Sequence, residues 1–235
     1  MNTDHNYKAI RLDPRLQKCA DFVRTGKVMA DIGTDHGYLP IALLLAAKVP
    51  GAVAADINEA PLESAVRNAG KYGVANRMEF VLSDGLHGLE DKAIDDIVIA
   101  GMGGELILRI ISEAPWLSSA EKHLVLQPMT TAAQLRCGLA QLGFVIEKEE
   151  AVFDGKKIYS VLSVYYAGES HILSGLEEHM GKIVPGSENS DRYAVSVLHN
   201  LENKLRGLEH TGGDVSVLRE TAEQIRSLYL KEDMA

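Results

Sequence analysis

Aspartates set beside glycines are the residues of this chain best placed to hold a ligand. The first stands in Asp31-Ile-Gly-Thr-Asp-His-Gly-Tyr-Leu-Pro40, between the apolar runs Val28-Met29-Ala30 and Ile41-Ala-Leu-Leu-Leu-Ala-Ala47. That pattern predicts a buried strand, a tight turn with Gly33 and Gly37 four apart, and a helix. Asp56 ends the next apolar run, 25 residues after Asp31, and Asp84-Gly85 follows a third. In doubly wound α/β proteins a ligand lies across the carboxyl ends of the strands, against backbone N–H groups and a helix N-terminus. A carboxylate ending the second strand there takes ribose hydroxyls. An adenosine-containing cofactor is therefore expected.

The spacing argues against a dinucleotide. A pyrophosphate needs G-x-G-x-x-G so that the backbone can approach it. Here Thr34-Asp35 replaces the middle glycine, which would set a negative side chain against the phosphates. The same anion attracts a sulfonium or an ammonium. S-adenosylmethionine carries both and no phosphate, and it suits acidic residues at 31, 35, 56 and 84. Asp31 is expected to take its ammonium, Asp56 its ribose hydroxyls, and Asp84 with Gly85 its adenine. Gly33 and Gly37 would let the turn approach the methionine part, with Thr34, Tyr38, Ile57 and Ala100 completing the lining. A plain glycine turn with a helix-capping aspartate is the competing reading, and Asp84-Gly85 has the same alternative.

Composition narrows the class. The 235 residues fit one large domain or a medium domain with an appendage, and 46% apolar content is enough for a sizeable core. Cys19 and Cys137 lie far apart without a C-x-x-C, so neither a disulfide framework nor a metal knuckle is expected. The first residues lack the pattern of a signal peptide, and Lys48 and Pro50 end the longest apolar stretch, so a soluble, cytoplasmic protein is expected. A net charge of −9 opposes broad affinity for nucleic acid, yet Lys8, Arg11, Arg15 and Lys18 are spaced so that several can share a helix face. A solvated helical face explains those four equally well.

Periodicity predicts helix from Pro14 to about Arg24, strand 27–32, helix 37–47, strand 51–55, helix 59–72 and strand 77–82. Strand 96–100 runs into Gly101-Met-Gly-Gly104 and a helix 105–112; strand 123–126, ended by Gln127-Pro128, precedes a helix 131–142. Alternation of this kind means a parallel sheet. Runs 144–153 and 156–166 are then joined by Asp154-Gly155, a hairpin signal. Five parallel strands closed by an antiparallel pair are a habit of Rossmann-like methyltransferases. From about Ser170 no strand signal remains; glycines punctuate three helical stretches, and 191–208 and 215–230 carry apolar stripes that predict an antiparallel helical hairpin. That tail holds eleven Asp/Glu against seven Lys/Arg. A scaffold or dimerisation role suits it as well as a grip on substrate.

These features together resemble the bacterial tRNA (adenine-22)-N1-methyltransferase family, often called TrmK. The resemblance rests on Ala30–Pro40, Ala55-Asp56, Ser83-Asp-Gly85, Ile99-Ala-Gly-Met-Gly-Gly104, Leu126-Gln-Pro128 and Asp154–Tyr159, and is architectural beyond residue 170. It implies a Rossmann-like class I methyltransferase sheet over residues 1–168 and a helical, coiled-coil-like domain over 169–235. It also implies a cytoplasmic enzyme that moves a methyl group from S-adenosylmethionine to N1 of an adenine in the tRNA D-loop. Apart from the resemblance, a monomer or weak homo-oligomer without metal is expected. The helical tail is implied to help hold the RNA.

N1 of neutral adenine has a lone pair and no hydrogen, so no general base is required. Proximity and desolvation then carry most of the acceleration. Asp35 is the candidate to stabilise the product cation, and His36 to orient groups in the pocket. Enzymes that methylate the exocyclic amine place Asn/Asp-Pro-Pro-aromatic after strand four. Gly101 and Met102 stand there instead, which favours a ring nitrogen and offers an apolar contact to the base. Arg11, Arg15, Lys18 and Lys157 are the expected phosphate holders. A small-molecule methyltransferase and a non-catalytic cofactor-binding scaffold are the alternative readings.

Overall fold

The structure, a computed structural model, describes residues 10–211 and 213–230, and Lys8 lies outside them. Asp13 opens the fold: its Oδ1 accepts the Leu16 N–H at 2.8 Å, and Pro14 fills the first position of α1 (Pro14–Phe22), where an N–H would go unused. Next come β1 (Met29–Ile32), α2 (Tyr38–Leu45), β2 (Ala52–Asp56), α3 (Glu59–Lys71) and β3 (Met78–Leu82). They are followed by β4 (Asp96–Gly103), α4 (Gly104–Ser112), β5 (His123–Thr130) and α5 (Ala132–Gln141). The hairpin β6 (Phe144–Asp154) and β7 (Lys157–Tyr166) completes one sheet, ordered β3-β2-β1-β4-β5-β7-β6. The first five strands in that order are parallel, and β7 runs antiparallel to both neighbours. This is the expected Rossmann-like methyltransferase sheet. Strand order reverses between β1 and β4, so the ligand crevice belongs beyond their carboxyl ends.

Burial explains the apolar runs. Helices cover both faces, so β1 and β2 are buried at every position rather than at alternate ones. Along β4, Ile97 and Ile99 face a core with Ile107 and Leu135 from α4 and α5, while Val98 faces Cys19, Leu39 and Ile41 from α1 and α2. Most element ends shift by a few residues, and three of the shifts change the sheet. Strands β4 and β5 continue through Gly103 and Thr130, because they keep pairing past a register shift at Gly101. The hairpin turn is Gly155-Lys156 rather than Asp154-Gly155: Asp154 pairs with Lys157, and Gly155 supplies the positive φ of 63°.

Beyond the sheet lie α6 (Gly175–Met180), α7 (Glu188–Thr211) and α8 (Ser216–Tyr229). Arg226 pairs with Glu202 and Arg219 with Glu209, each at 2.6 Å, a ladder that only antiparallel helices can make. Leu198, Leu201, Ala222 and Ile225 form their core, and Ala151 and Ile158 of the β6–β7 hairpin pack against it. A second tie is polar. Arg136 of α5 and Glu149 of β6 are fully buried and paired at 2.6 Å. The same guanidinium donates to Tyr193 Oη at 2.7 Å and to the carbonyls of Glu178 and His179.

Candidate functional site at the carboxyl ends of the parallel strands

Asp31 is the second-last residue of β1, in register with Ala54 of β2 and Val98 of β4, and only 6% exposed. Among the described residues its one side-chain partner is the Thr34 hydroxyl, which donates to Oδ2 at 2.7 Å. Burial pushes the carboxyl up to about 6; the Thr34 bond opposes this, and the charges of Asp56 and Asp35 add to it. It borders a cavity of about 290 Å³ whose walls include Gly33, Thr34, Asp35, His36, Tyr38, Ala100 and Gly101. Residues predicted from two separate motifs are thus brought to one place. Gly33 (φ 73°) and Gly37 (φ 69°) shape the turn, and Gly37 is the residue before α2. Asp35 itself has φ 50°, a left-handed conformation costly for a side chain with a Cβ.

Asp56 lies at the end of β2, with Oδ1 accepting the Asn58 N–H at 2.9 Å. The neighbouring Ile57 is largely exposed, as an apolar platform over the crevice would be. Asp84 and Gly85 follow β3, where the Asp84 carboxylate is half exposed and lies 3.6 Å from Arg109 of α4. Asp35 is 74% exposed, with its carboxylate 3.6 Å from His36 Nε2. The His36 and Tyr38 rings lie with centres 5.5 Å apart, tilted 39° to one another. They give the cavity mouth an aromatic edge.

Several of these residues also have contacts within the fold. A Cβ on Gly33 would run into the terminal methyl of Met102, so Gly33 makes room for that side chain. A Cβ on Gly37 would sit 3.0 Å from that of Ala65, so this glycine serves close packing of α2 on α3. Of the four basic residues, Arg15 and Lys18 share a face of α1. Arg11 precedes α1 and is exposed with no partner among the described residues. Arg15 instead bonds Asp154 at 2.8 Å, Asp13 at 3.1 Å and Gln127 at 3.0 Å, and lies over the Tyr159 ring. Lys18 pairs with Glu150 at 2.6 Å. Both side chains are turned to the hairpin, and their charges are spent there. Lys157, beside the hairpin turn, is exposed and unpaired among the described residues.

Gln127 was given no role by the sequence. It is 0% exposed, and its Oε1 accepts both the Arg15 guanidinium and the Gly101 N–H at 3.1 Å. The available signal was a polar residue ending an apolar strand just before a proline. Among the described residues no cluster of His, Cys, Asp and Glu is arranged to hold a metal.

The donor set sorts the candidate ligands. Asp31, buried with no cationic partner of its own, borders a cavity also lined by Asp35 and Asp13, and the one guanidinium there, Arg15, is already paired with Asp154 and Asp13; that set suits a ligand bearing an ammonium or sulfonium. Fold, crevice and acidic turn define a methyltransferase: the family described as "Methyltransferase domain" matches residues 12–162, and the chain belongs to it. Similarity extends across the helical tail. The tRNA (adenine(22)-N(1))-methyltransferase of Bacillus subtilis (strain 168) is 30% identical over 226 residues, 96% of this chain and 93% of that protein. The chain belongs to the tRNA (adenine(22)-N(1))-methyltransferase family. A Streptococcus pneumoniae protein solved with S-adenosyl-L-methionine superposes with a TM-score of 0.79 at 30% identity, covering 93% of this chain and 99% of that one. TrmK of M. capricolum, solved with S-adenosyl-homocysteine, gives a TM-score of 0.74 at 26% identity, covering 92% of this chain and 96% of that one.

Proposed function

We propose that this protein transfers the methyl group of S-adenosyl-L-methionine to N1 of adenine 22 in the D-loop of tRNA, acting in the cytoplasm. The observation that carries this reading is Asp31: a buried carboxylate at the switch point of the sheet, bordering the cavity and bonded, among the described residues, to the Thr34 hydroxyl and to no cationic side chain. When bound, S-adenosylmethionine supplies a methyl group activated on a sulfonium. Asp31 holds the ammonium, and Asp56 accepts from the ribose hydroxyls. Ile57, Asp84 and Gly85 hold the adenine. Thr34, Tyr38 and Ala100 line the methionine part, with Gly33 and Gly37 shaping the turn between them.

The target adenine must leave its stack, at a cost of a few kcal/mol that is smaller in an unpaired loop. Tyr38 and His36 offer an aromatic surface to receive it. Because N1 carries no hydrogen, no side chain has to accept a proton before attack. Asp35 stands at the mouth, where its charge faces the cation that the base becomes. Gly101 and Met102 set a low backbone wall against the base. Arg11 and Lys157 remain to meet phosphates.

Incubating the protein with cofactor and a tRNA transcript, then extending a primer across the product, tests the reading. A stop at adenine 22 that disappears when this base is changed to guanine is the expected result. A stop elsewhere, or transfer to small molecules alone, would overturn it.

A further inference from the structure

We infer that Gln127 and Arg15 are positioning residues for methyl transfer, holding the Gly101 bulge of β4 against the reaction cavity; the inference rests on the function proposed above. Ala100 pairs with Gln127 and Met102 with Pro128, with a register shift between the two pairs. Gly101 is left outside the ladder, opposite a proline that has no N–H to offer. Its φ is 80°, and nothing lies within 4 Å of the position a Cβ would take. Packing on that side therefore does not fix it. The hydrogen bond that Gly101 N–H donates to Gln127 Oε1 does.

Gln127 is itself held. Its Nε2 donates to the Pro128 carbonyl at 2.9 Å, which aims Oε1 at Gly101 and at the Arg15 guanidinium. Arg15 is pinned in turn by Asp154 at the hairpin tip and by Asp13 at the start of α1. Arg15 and Gly101 line the same cavity as Asp31. Reaction geometry tolerates little slack: a displacement of about 1 Å costs on the order of a hundredfold in rate. A bulge tied by a single buried amide oxygen is where such slack would arise.

The experiment compares Gln127→Met, Gln127→Glu and Arg15→Lys with the wild type. It reads hydrogen exchange of the Gly101 amide, cofactor Kd, and kcat and KM on tRNA. Gln127→Met should speed Gly101 exchange about tenfold or more. It should also lower kcat by roughly tenfold to a hundredfold, while cofactor Kd and KM stay near wild type and the melting temperature falls by a few degrees for the lost buried bonds. Gln127→Glu keeps an oxygen to accept from Gly101 and Arg15 but loses the donor to the Pro128 carbonyl, so it should recover exchange protection and kcat in part; Arg15→Lys should also fall between. Unchanged exchange, unchanged kcat, or a Gln127→Glu no better than Gln127→Met overturns the inference. If Gln127→Met does not fold, Arg15→Lys decides by the same readouts. A wild type that methylates no tRNA overturns the proposed function, whereas Gly101 exchange indifferent to Gln127 overturns this inference, so the two failures read differently.

Discussion

Asp31 and Asp96 sit on adjacent strands two rungs apart, both buried, and their environments drive them in opposite directions. Asp31 is at the carboxyl end of β1 and Asp96 at the amino end of β4, where it pairs with Met29. Asp96 accepts the Arg24 amide and guanidinium, each at 2.7 Å, and His123 Nδ1 at 3.1 Å. Burial by itself would raise its pKa; the bonds from His123 and Arg24 outweigh that and hold it below the usual carboxylate value. Asp31, with one hydroxyl for company, is pushed up instead. Burial alone thus says little about what a carboxylate is for. At the amino rim the protein completes the charge itself; at the carboxyl rim Asp31 has a hydroxyl and no cationic side chain, which suits the ammonium-binding role proposed for it.

Removing the better-paired carboxylate should do the most damage. Asp96→Ala leaves Arg24 and His123 without their partner and is expected to lower unfolding stability by about 3 kcal/mol in a denaturant titration. Methyl transfer per folded molecule should be unchanged. Asp31→Asn is the converse: cofactor affinity measured by calorimetry should drop roughly a hundredfold, with stability at pH 8 equal to or above wild type. A large stability loss in Asp31→Asn would erase the contrast.

The two groups should also give opposite pH slopes. Asp31 titrates higher in the folded than in the unfolded chain, so the ligand-free protein loses stability as pH rises from about 4 to about 6, by up to roughly 3 kcal/mol. Asp96 titrates lower when folded, so the stability it gives is present at neutral pH and is lost as pH falls below the unfolded value of 3.8. Cofactor affinity should weaken below pH 6, by up to about tenfold per unit, as the Asp31 proton must first leave. A flat affinity profile from pH 5 to 8 would count against Asp31 as the ammonium site. The smallest effect is expected at Arg11, where Arg11→Gln should weaken tRNA binding a few-fold and reduce its salt dependence by about one phosphate contact.

The sheet could be read from the chain because its signals are local. Apolar runs ending in Asp31, Asp56 and Ser83-Asp84 each sit within one strand-turn-helix unit, and the stripe Ala194, Leu198, Leu201 announces α7 by itself. What escaped was set by distant partners. Arg15 and Lys18 look like a basic helix face until the fold brings Asp154 and Glu150 beside them, more than 130 residues away. Gln127 is similar: its value depends on a bulge in β4, and the bulge appears only once β4 is laid against Pro128. The hairpin turn slipped by one residue because Asp-Gly marks a turn while the pairing of β6 with β7 decides which two residues form it.

The junction between sheet and tail carries a consequence for building hybrids. Gly181 (φ 57°) lies so close to the Arg136–Glu149 pair that any added carbon would strike the Glu149 carboxylate. Arginine, glutamate and glycine thus form one fitted joint drawn from α5, β6 and the segment after α6. A chimera that takes its helices from a relative should carry all three across together; one that transplants the helices alone would lodge a foreign residue against a charge with nowhere to retreat.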